Sequence, residues 1–247
     1  MKTFVPDYYF DFRCLAGACG HTCCEGWEID IDEDTLKKYE SVSGEFGRFL
    51  RESVSLSPAP HFRLMPGERC PFLTESRLCG IILQKGEDYL CQICRDHPRF
   101  RSFWSDRIEM GLGLACEEAA RLILTSDHPL RLVELENIPD PAPVSLTEDE
   151  LWLMDLRDRL LAAVPGNGPA ARLQEYMIFR HLADALYDGL VEERIRFVDD
   201  ACSLILAGWD GRDLDPLISK ARQFSNEIEY DDEKLKAMIL RGSPENE

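Results

Sequence analysis

Apolar and polar positions change rhythm several times along this chain of 247 residues. The opening stretch M-K-T-F-V-P-D-Y-Y-F-D-F-R is aromatic and reads as extended, with Phe4, Tyr8, Tyr9, Phe10 and Phe12 as its apolar positions. G-W-E-I-D-I-D at 26–32 alternates apolar and acidic residues, which predicts a short half-buried strand. Asp32 or Asp34 can then cap a helix over about 34–53, broken by S-P-A-P at 57–60. Residues 61–83 read as loop and strand. L-C-Q-I-C-R-D-H-P-R-F reads as one or two helical turns that stop before Pro98, because a proline disfavours helical geometry in the residue before it. The segment 100–116 reads as a hairpin whose second arm turns Ile108, Met110, Leu112 and Leu114 to one face. Cys116 opens a further helix, where Glu117 and Glu118 suit the positive end of the helix dipole.

The Pro-rich stretch N-I-P-D-P-A-P-V-S-L (137–146) reads as a linker and domain boundary. Beyond it Thr147 and Glu150 form a capping box ahead of E-D-E-L-W-L-M-D-L-R-D-R-L-L-A-A-V. P-G-N-G-P at 165–169 ends that helix. Amphipathic periodicity predicts more helices at about 169–188, 190–208, 213–226 and 231–241. Their apolar stripes, with Leu151, Met154, Leu160 and Leu161 on one helix and Ile195, Val198 and Leu204 on another, read as core. The tail R-G-S-P-E-N-E reads as disordered. The expected fold is mainly α. A small irregular α+β cysteine-rich metal-binding region spans 1–136, and an all-α helical bundle spans 147–241.

Composition adjusts this picture in two ways. Hydrophobic residues make up 45% of the chain, enough for a proper core. No run of about 18 apolar residues occurs, so no membrane partner is expected, and the charged start does not read as a secretory signal. The expected location is therefore a reducing cytoplasm, where disulfides are rare. The net charge is −18, with 14 Lys+Arg against 18 Asp+Glu up to residue 116 and 14 against 28 beyond it. Such a surface repels phosphate backbones, so nucleic acid is not an expected partner, whereas a basic protein is compatible with it.

The chemistry lies in the cysteines. Of ten, nine fall in the first 116 residues: Cys14, Cys19, Cys23, Cys24, Cys70, Cys79, Cys91, Cys94 and Cys116. Cys202 sits in the apolar stretch A-C-S-L-I-L-A and reads as an ordinary buried thiol. Disulfides would need an oxidising compartment. A redox pair at Cys91-x-x-Cys94 lacks a surrounding βαβ pattern and leaves seven thiols unexplained. Thiolate ligation of an iron–sulfur cluster, or of zinc as the alternative, accounts for most of the nine together. The vicinal Cys23 and Cys24 rarely fit one tetrahedral zinc, so they are expected to take different roles. The ferredoxin spacing C-x2-C-x2-C is absent. So is the C-x3-C-x2-C run of radical S-adenosylmethionine enzymes, since Gly26 stands two residues beyond the pair.

Five blocks in order resemble a known family: F-R-C-L-A-G-A-C-G-H-T-C-C-E-G-W-E-I-D-I-D (12–32), C-P-F-L (70–73), C-G-I (79–81), C-R-D-H-P-R (94–99) and L-x-C-E-E-A-A-R (114–121). Together they are similar to the CxxCxxCC family of zinc- or iron-chelating domains, and within it to the flagellin lysine N-methylases. The resemblance covers residues 1 to about 125. It implies methyl transfer from S-adenosylmethionine to lysine ε-amino groups of a protein substrate, flagellin, in the cytoplasm, with an iron–sulfur cluster involved. It carries over to Cys14, Cys19, Cys23, Cys24, Cys70, Cys79 and Cys94, and through the methylase-like members to Cys91 and Cys116. The first gap here is x4, and Glu117 stands where the family would place a proline. The alternative reading is a non-catalytic zinc- or iron-chelating domain that docks a protein partner.

Other residues near the thiols have a bland reading beside a functional one. Trp27 and Glu25 read as core and surface charge, or as the mouth of a site. Arg95 and Arg99 read as structural ion pairs, or as steering groups for a cofactor carboxylate. His97 reads as structural, and His21 is a weaker ligand candidate. G-L-G-L-A at 111–115 lacks the third glycine of a dinucleotide loop.

Overall fold

Strand β1 (Lys2–Pro6) opens the chain in the computed structural model, which describes residues 2–135, 145–228 and 231–240. There follow α1 (Glu33–Ser41), α2 (Gly44–Glu52), β2 (Val54–Ser55), β3 (His61–Phe62), α3 (Gly80–Lys85) and α4 (Gln92–Asp96). Then come β4 (Arg99–Phe103), β5 (Arg107–Leu112), α5 (Glu117–Thr125) and β6 (Leu132–Glu134). The rest is helical: α6 (Glu148–Ala163), α7 (Pro169–His181), α8 (Ala185–Asp188), α9 (Val191–Leu206), α10 (Leu214–Ile228) and α11 (Asp232–Leu240). The fold is thus mainly helical with a small sheet. Among the described residues no helix is long and apolar enough to cross a membrane.

Two compact units divide the chain, and the division differs from the expected one. Residues 14–97 form one unit, while residues 1–13 group with 98 onward. The reason is strand pairing. The sheet runs in the order β4-β5-β1-β6, with β1 parallel to β5 and antiparallel to β6. The start of the chain therefore pairs alongside β5, the second arm of the hairpin, with β6 on its other side. Most of the expected linker 137–146 and the tail 241–247 lie outside the described residues.

In the larger unit the hairpin forms as expected, with Phe100 opposite Gly111 and Ser102 opposite Glu109. Its inward face is a correction. Leu112 and Leu114 are fully buried, but so is Glu109 between the half-buried Ile108 and Met110. Alternate strand residues face opposite sides, and here the polar set turns inward because Arg157 of α6 waits for the carboxylate. Leu114, Ile123, Leu124, Leu173, Met177, Phe197, Ile205 and Ala221 gather α5, α7, α9 and α10 around one core. The capping box stands: the Thr147 hydroxyl accepts from Glu150 N, and Thr147 N donates to Glu150 Oε2 at 2.7 Å. The apolar stripes hold in part. Val198 is buried, and Met154, Leu160, Leu161 and Ile195 are half-buried against the core, but Leu151 and Leu204 are exposed. Leu153 is the buried residue of that turn. The opening segment is extended only to Pro6; a 3-10 helix Asp7–Asp11 follows, with Tyr8 and Phe12 in the core and Phe10 exposed.

The unit 14–97 has its own core of Ile29, Ile31, Tyr39, Leu50, Phe62, Phe72, Ile81, Cys70 and Cys91. The expected helix 34–53 is two helices, because Val42 and Ser43 turn extended after α1 and Gly44 takes a left-handed φ of 79° at the start of α2. Arg51 ties them by donating to Val42 O at 2.8 Å. The expected strand 26–32 does not form. Its alternation survives as the burial of Ile29 and Ile31, held by isolated bridges Glu25–Arg69 and Asp30–His61. G-I-I-L at 80–83 is helical rather than extended.

Candidate functional site

The site is built from three segments of the smaller unit, and backbone bonds join the first two. Cys70 N donates to Cys24 O at 2.8 Å, and Gly26 N to Glu68 O at 3.1 Å, which seats the vicinal pair beside the 68–70 turn. Leu73 N donates to Cys70 O, and Gly80 N donates to Phe72 O at 2.7 Å, so the chain folds back and brings Cys79 towards Cys70. Cys91 and Cys94 bracket the first turn of α4, with Arg95 N donating to Cys91 O. A 3-10 turn Ala16–Ala18 leads into the cysteine loop, and its left-handed φ of 49° falls at Ala16 and not at Gly17.

Electrostatics show which thiols share a neighbourhood. Burial pushes the Cys70 thiol up to about 12, and the charges of Cys79, Cys91 and Cys23 act in the same direction. Cys79 is raised by burial, with Cys23 and Cys91 adding to it. Cys91 and Cys94 are hydrogen-bonded to each other; this bond favours thiolate on Cys91 and raises Cys94, which also feels Cys70 and Cys24. Six sulfurs, of Cys23, Cys24, Cys70, Cys79, Cys91 and Cys94, are thus linked in a chain of electrostatic effects, Cys23 through Cys70 and Cys79 and Cys24 through Cys94. Cys14 accepts from Ala16 N at 3.4 Å in the exposed loop, and Cys19 is half-buried in the same loop. Cys116 belongs to the other unit, half-buried at the start of α5. Cys202 is buried in α9, as expected of a core thiol.

No disulfide joins any of the ten cysteines. Among the described residues, no three His, Cys, Asp or Glu side chains form a ready metal-holding group. The donor chemistry nevertheless fits a soft thiolate-bound ion or cluster: six thiols carry the site, and the carboxylate that acts on Cys91, Asp32, is engaged by the N–H groups of Thr35 and Gln92.

The surrounding side chains settle several open readings. Trp27 is half-buried; its Nε1 donates to Cys23 O at 2.8 Å and its ring stacks on His97 at 5.9 Å. It braces the vicinal pair. Glu25 pairs with Arg69 at 3.0 Å on the exposed side. Arg95 donates to Gln92 Oε1, and Arg99, in the other unit, donates to Tyr9 OH and lies over the rings of Tyr9 and Phe12. Among the described residues neither arginine pairs with a carboxylate. His21 is exposed.

Two residues that sequence reading missed stand against the thiols. Tyr39, fully buried, donates its hydroxyl to Tyr89 O at 2.8 Å, and the same oxygen lies 3.4 Å from Cys91 Sγ. Asp32 does more than cap α1. One carboxylate oxygen accepts from Thr35 N at 3.0 Å and the other from Gln92 N at 2.7 Å. Partial burial opposes its charge, but the Gln92 and Thr35 N–H groups outweigh that and hold the carboxyl below its ordinary range. Only the cap had a local signal.

No protein-family profile matches the chain, and no solved structure matches it. Three curated proteins do. The flagellar biosynthetic protein FliU of Salmonella muenchen is 29% identical over 136 residues, covering 52% of this chain and 80% of that protein. The lysine-N-methylases of Salmonella choleraesuis and Salmonella typhimurium are each 29% identical over 137 residues, covering 52% of this chain but 34% of theirs. The matched region thus spans about a third of each lysine-N-methylase, and over half its length this chain is similar to proteins named for lysine methylation and flagellar biosynthesis.

Proposed function

We propose that the chain is a protein-lysine N-methyltransferase of the flagellin type, acting in the cytoplasm with S-adenosylmethionine as methyl donor. The observation that carries this reading is the likeness over half the chain to lysine-N-methylases, joined to a unit in which six thiols share one neighbourhood. In the reaction, the lone pair of a neutral lysine nitrogen forms the new N–C bond. The sulfonium S–C bond breaks, its electron pair stays on sulfur, and the product ammonium releases a proton. The lysine must therefore arrive deprotonated, which desolvation favours. Cys23, Cys24, Cys70, Cys79, Cys91 and Cys94 are the residues that would hold an iron–sulfur cluster, or zinc. Such a centre would staple a small unit whose own core is modest. The chain's acidic surface, with its net charge of −18, suits a basic, lysine-bearing protein and not nucleic acid.

The test is incubation of anaerobically purified chain with S-adenosylmethionine and flagellin, followed by mass spectrometry. Addition of single-methylene masses to lysines supports the reading. Their absence, with the metal centre loaded, overturns it. The likeness to FliU, which covers 80% of a protein named for flagellar biosynthesis, favours a second reading, a non-catalytic thiolate-held module that docks a protein. It expects flagellin binding without any added mass, from a colourless preparation holding stoichiometric zinc.

A further inference from the structure

Helix α1 holds the segment 88–92 at four points. Lys38 Nζ donates to Asp88 O at 2.9 Å, and Tyr39 OH donates to Tyr89 O at 2.8 Å. The Tyr39 oxygen lies 3.4 Å from Cys91 Sγ, and Asp32 accepts from Gln92 N at 2.7 Å. Asp32 and Tyr39 are seven residues apart, two turns of helix, so they lie on one face. That face meets the Cys91-x-x-Cys94 turn from both sides of Cys91. Tyr39 is immobile there: its ring is buried and stacks on Phe62 at 6.0 Å, which in turn packs on Phe72 at 5.0 Å. Asp32 is fixed by its own cap bond to Thr35.

We propose that Asp32 and Tyr39 are positioning residues for the Cys91–Cys94 pair, a splint that sets the sulfur of Cys91 in place before any ion binds. The inference rests on the thiolate centre proposed above and adds to it the groups outside the ligand set. A tyrosine hydroxyl has one hydrogen. It donates to Tyr89 O at 2.8 Å, and its oxygen, 3.4 Å from Cys91 Sγ, sets where that sulfur stands. Groups in this outer position orient ligands and commonly contribute a factor of about 10–100 in metal affinity. Asp32 acts on the backbone. By fixing Gln92 N it sets the direction in which the first turn of α4 leaves Cys91, and hence where Cys94 stands.

The test is titration of the full metal-free chain with cobalt(II), following the thiolate-to-cobalt charge-transfer absorption, alongside thermal unfolding of the metal-free forms. Three variants are compared. Tyr39→Phe keeps the ring and removes the hydroxyl. Asp32→Ser keeps a side chain able to cap α1 but removes the arm that reaches Gln92. Lys38→Met removes the exposed contact to Asp88 alone. The expected result is binding by wild type and Lys38→Met with equal affinity, and by Tyr39→Phe and Asp32→Ser with affinity weaker by about 10–100-fold. The metal-free Asp32→Ser chain should still unfold in one cooperative step, at a melting temperature lowered by no more than a few degrees. Wild-type affinity in both Tyr39→Phe and Asp32→Ser would overturn the splint and leave the thiolate centre standing. A wild-type chain that shows no thiolate-to-cobalt absorption would overturn both. If Tyr39→Phe does not fold, Asp32→Ser decides alone.

Discussion

Arg157 donates from both terminal nitrogens to the Glu109 carboxylate, with Nη2 to Oε1 at 3.0 Å, and both side chains are buried. The pair joins the middle of the sheet to α6, and Arg157 also lies over the Trp104 ring at 5.3 Å. Breaking a buried pair from one side strands the other charge, at about 3–5 kcal/mol. Glu109→Leu or Arg157→Met is therefore expected to lower stability by about that much in urea unfolding, and the double variant to recover most of the loss. If each single variant cost less than about 1 kcal/mol, the pair would not be the anchor its burial implies.

A carboxylate on the same helix as Arg157 carries a pH dependence. Glu150 accepts from Thr147 N and from Ser105 N. Burial opposes its ionisation, but these donors outweigh it and hold the carboxyl below its ordinary range. A depressed folded-state pKa contributes stability that is complete above the unfolded value, about 4.3 for glutamate, and is lost as pH falls towards the folded value. Glu150→Gln should flatten this acid limb of the stability–pH curve, and Thr147→Ala should cost about 1 kcal/mol at neutral pH. Denaturant unfolding at pH values from neutral down to about 3 measures both.

Gly47 sits in the interior of α2, where alanine normally gains about 0.5–1 kcal/mol. Here a Cβ would run into the carbonyl oxygen of Val42, the same atom that accepts from Arg51. Steric repulsion should win, so Gly47→Ala is expected to destabilise by about 1–3 kcal/mol. A raised melting temperature in this variant would show that the turn between α1 and α2 gives way freely.

The sulfurs should separate into two classes. Burial pushes the Cys202 thiol up to about 12, so it stays protonated at neutral pH. Cys202→Ala should cost about 1 kcal/mol of stability and leave metal and sulfide content unchanged. Cys91→Ala and Cys94→Ala should lower that content in anaerobically purified protein. Equal content in all three variants would remove these two thiols from the proposed ligand set.

Much of the helical half was legible because its signals are local. The Thr147–Glu150 box spans three residues, Pro169 stands at the first position of α7, and the periodicity of α7, α9, α10 and α11 repeats within each helix. Cysteine spacing likewise named the candidate thiols, and the burial of Cys202 followed from its apolar neighbours.

Tertiary structure alone decided the rest, because those outcomes depend on where the chain returns. Nothing near Glu109 distinguishes an inward carboxylate from an outward one until Arg157, 48 residues away, arrives to pair with it. The alternation of 26–32 was real, yet it pairs with the two-residue β3 only through the single Asp30–His61 bridge, so it became buried loop instead of sheet. Tyr39 meets Cys91 across 52 residues, and Asp32 meets Gln92 across 60. Local pattern therefore determined which segments coil and which residues carry sulfur. Long-range packing determined which sulfurs are neighbours and what holds them there.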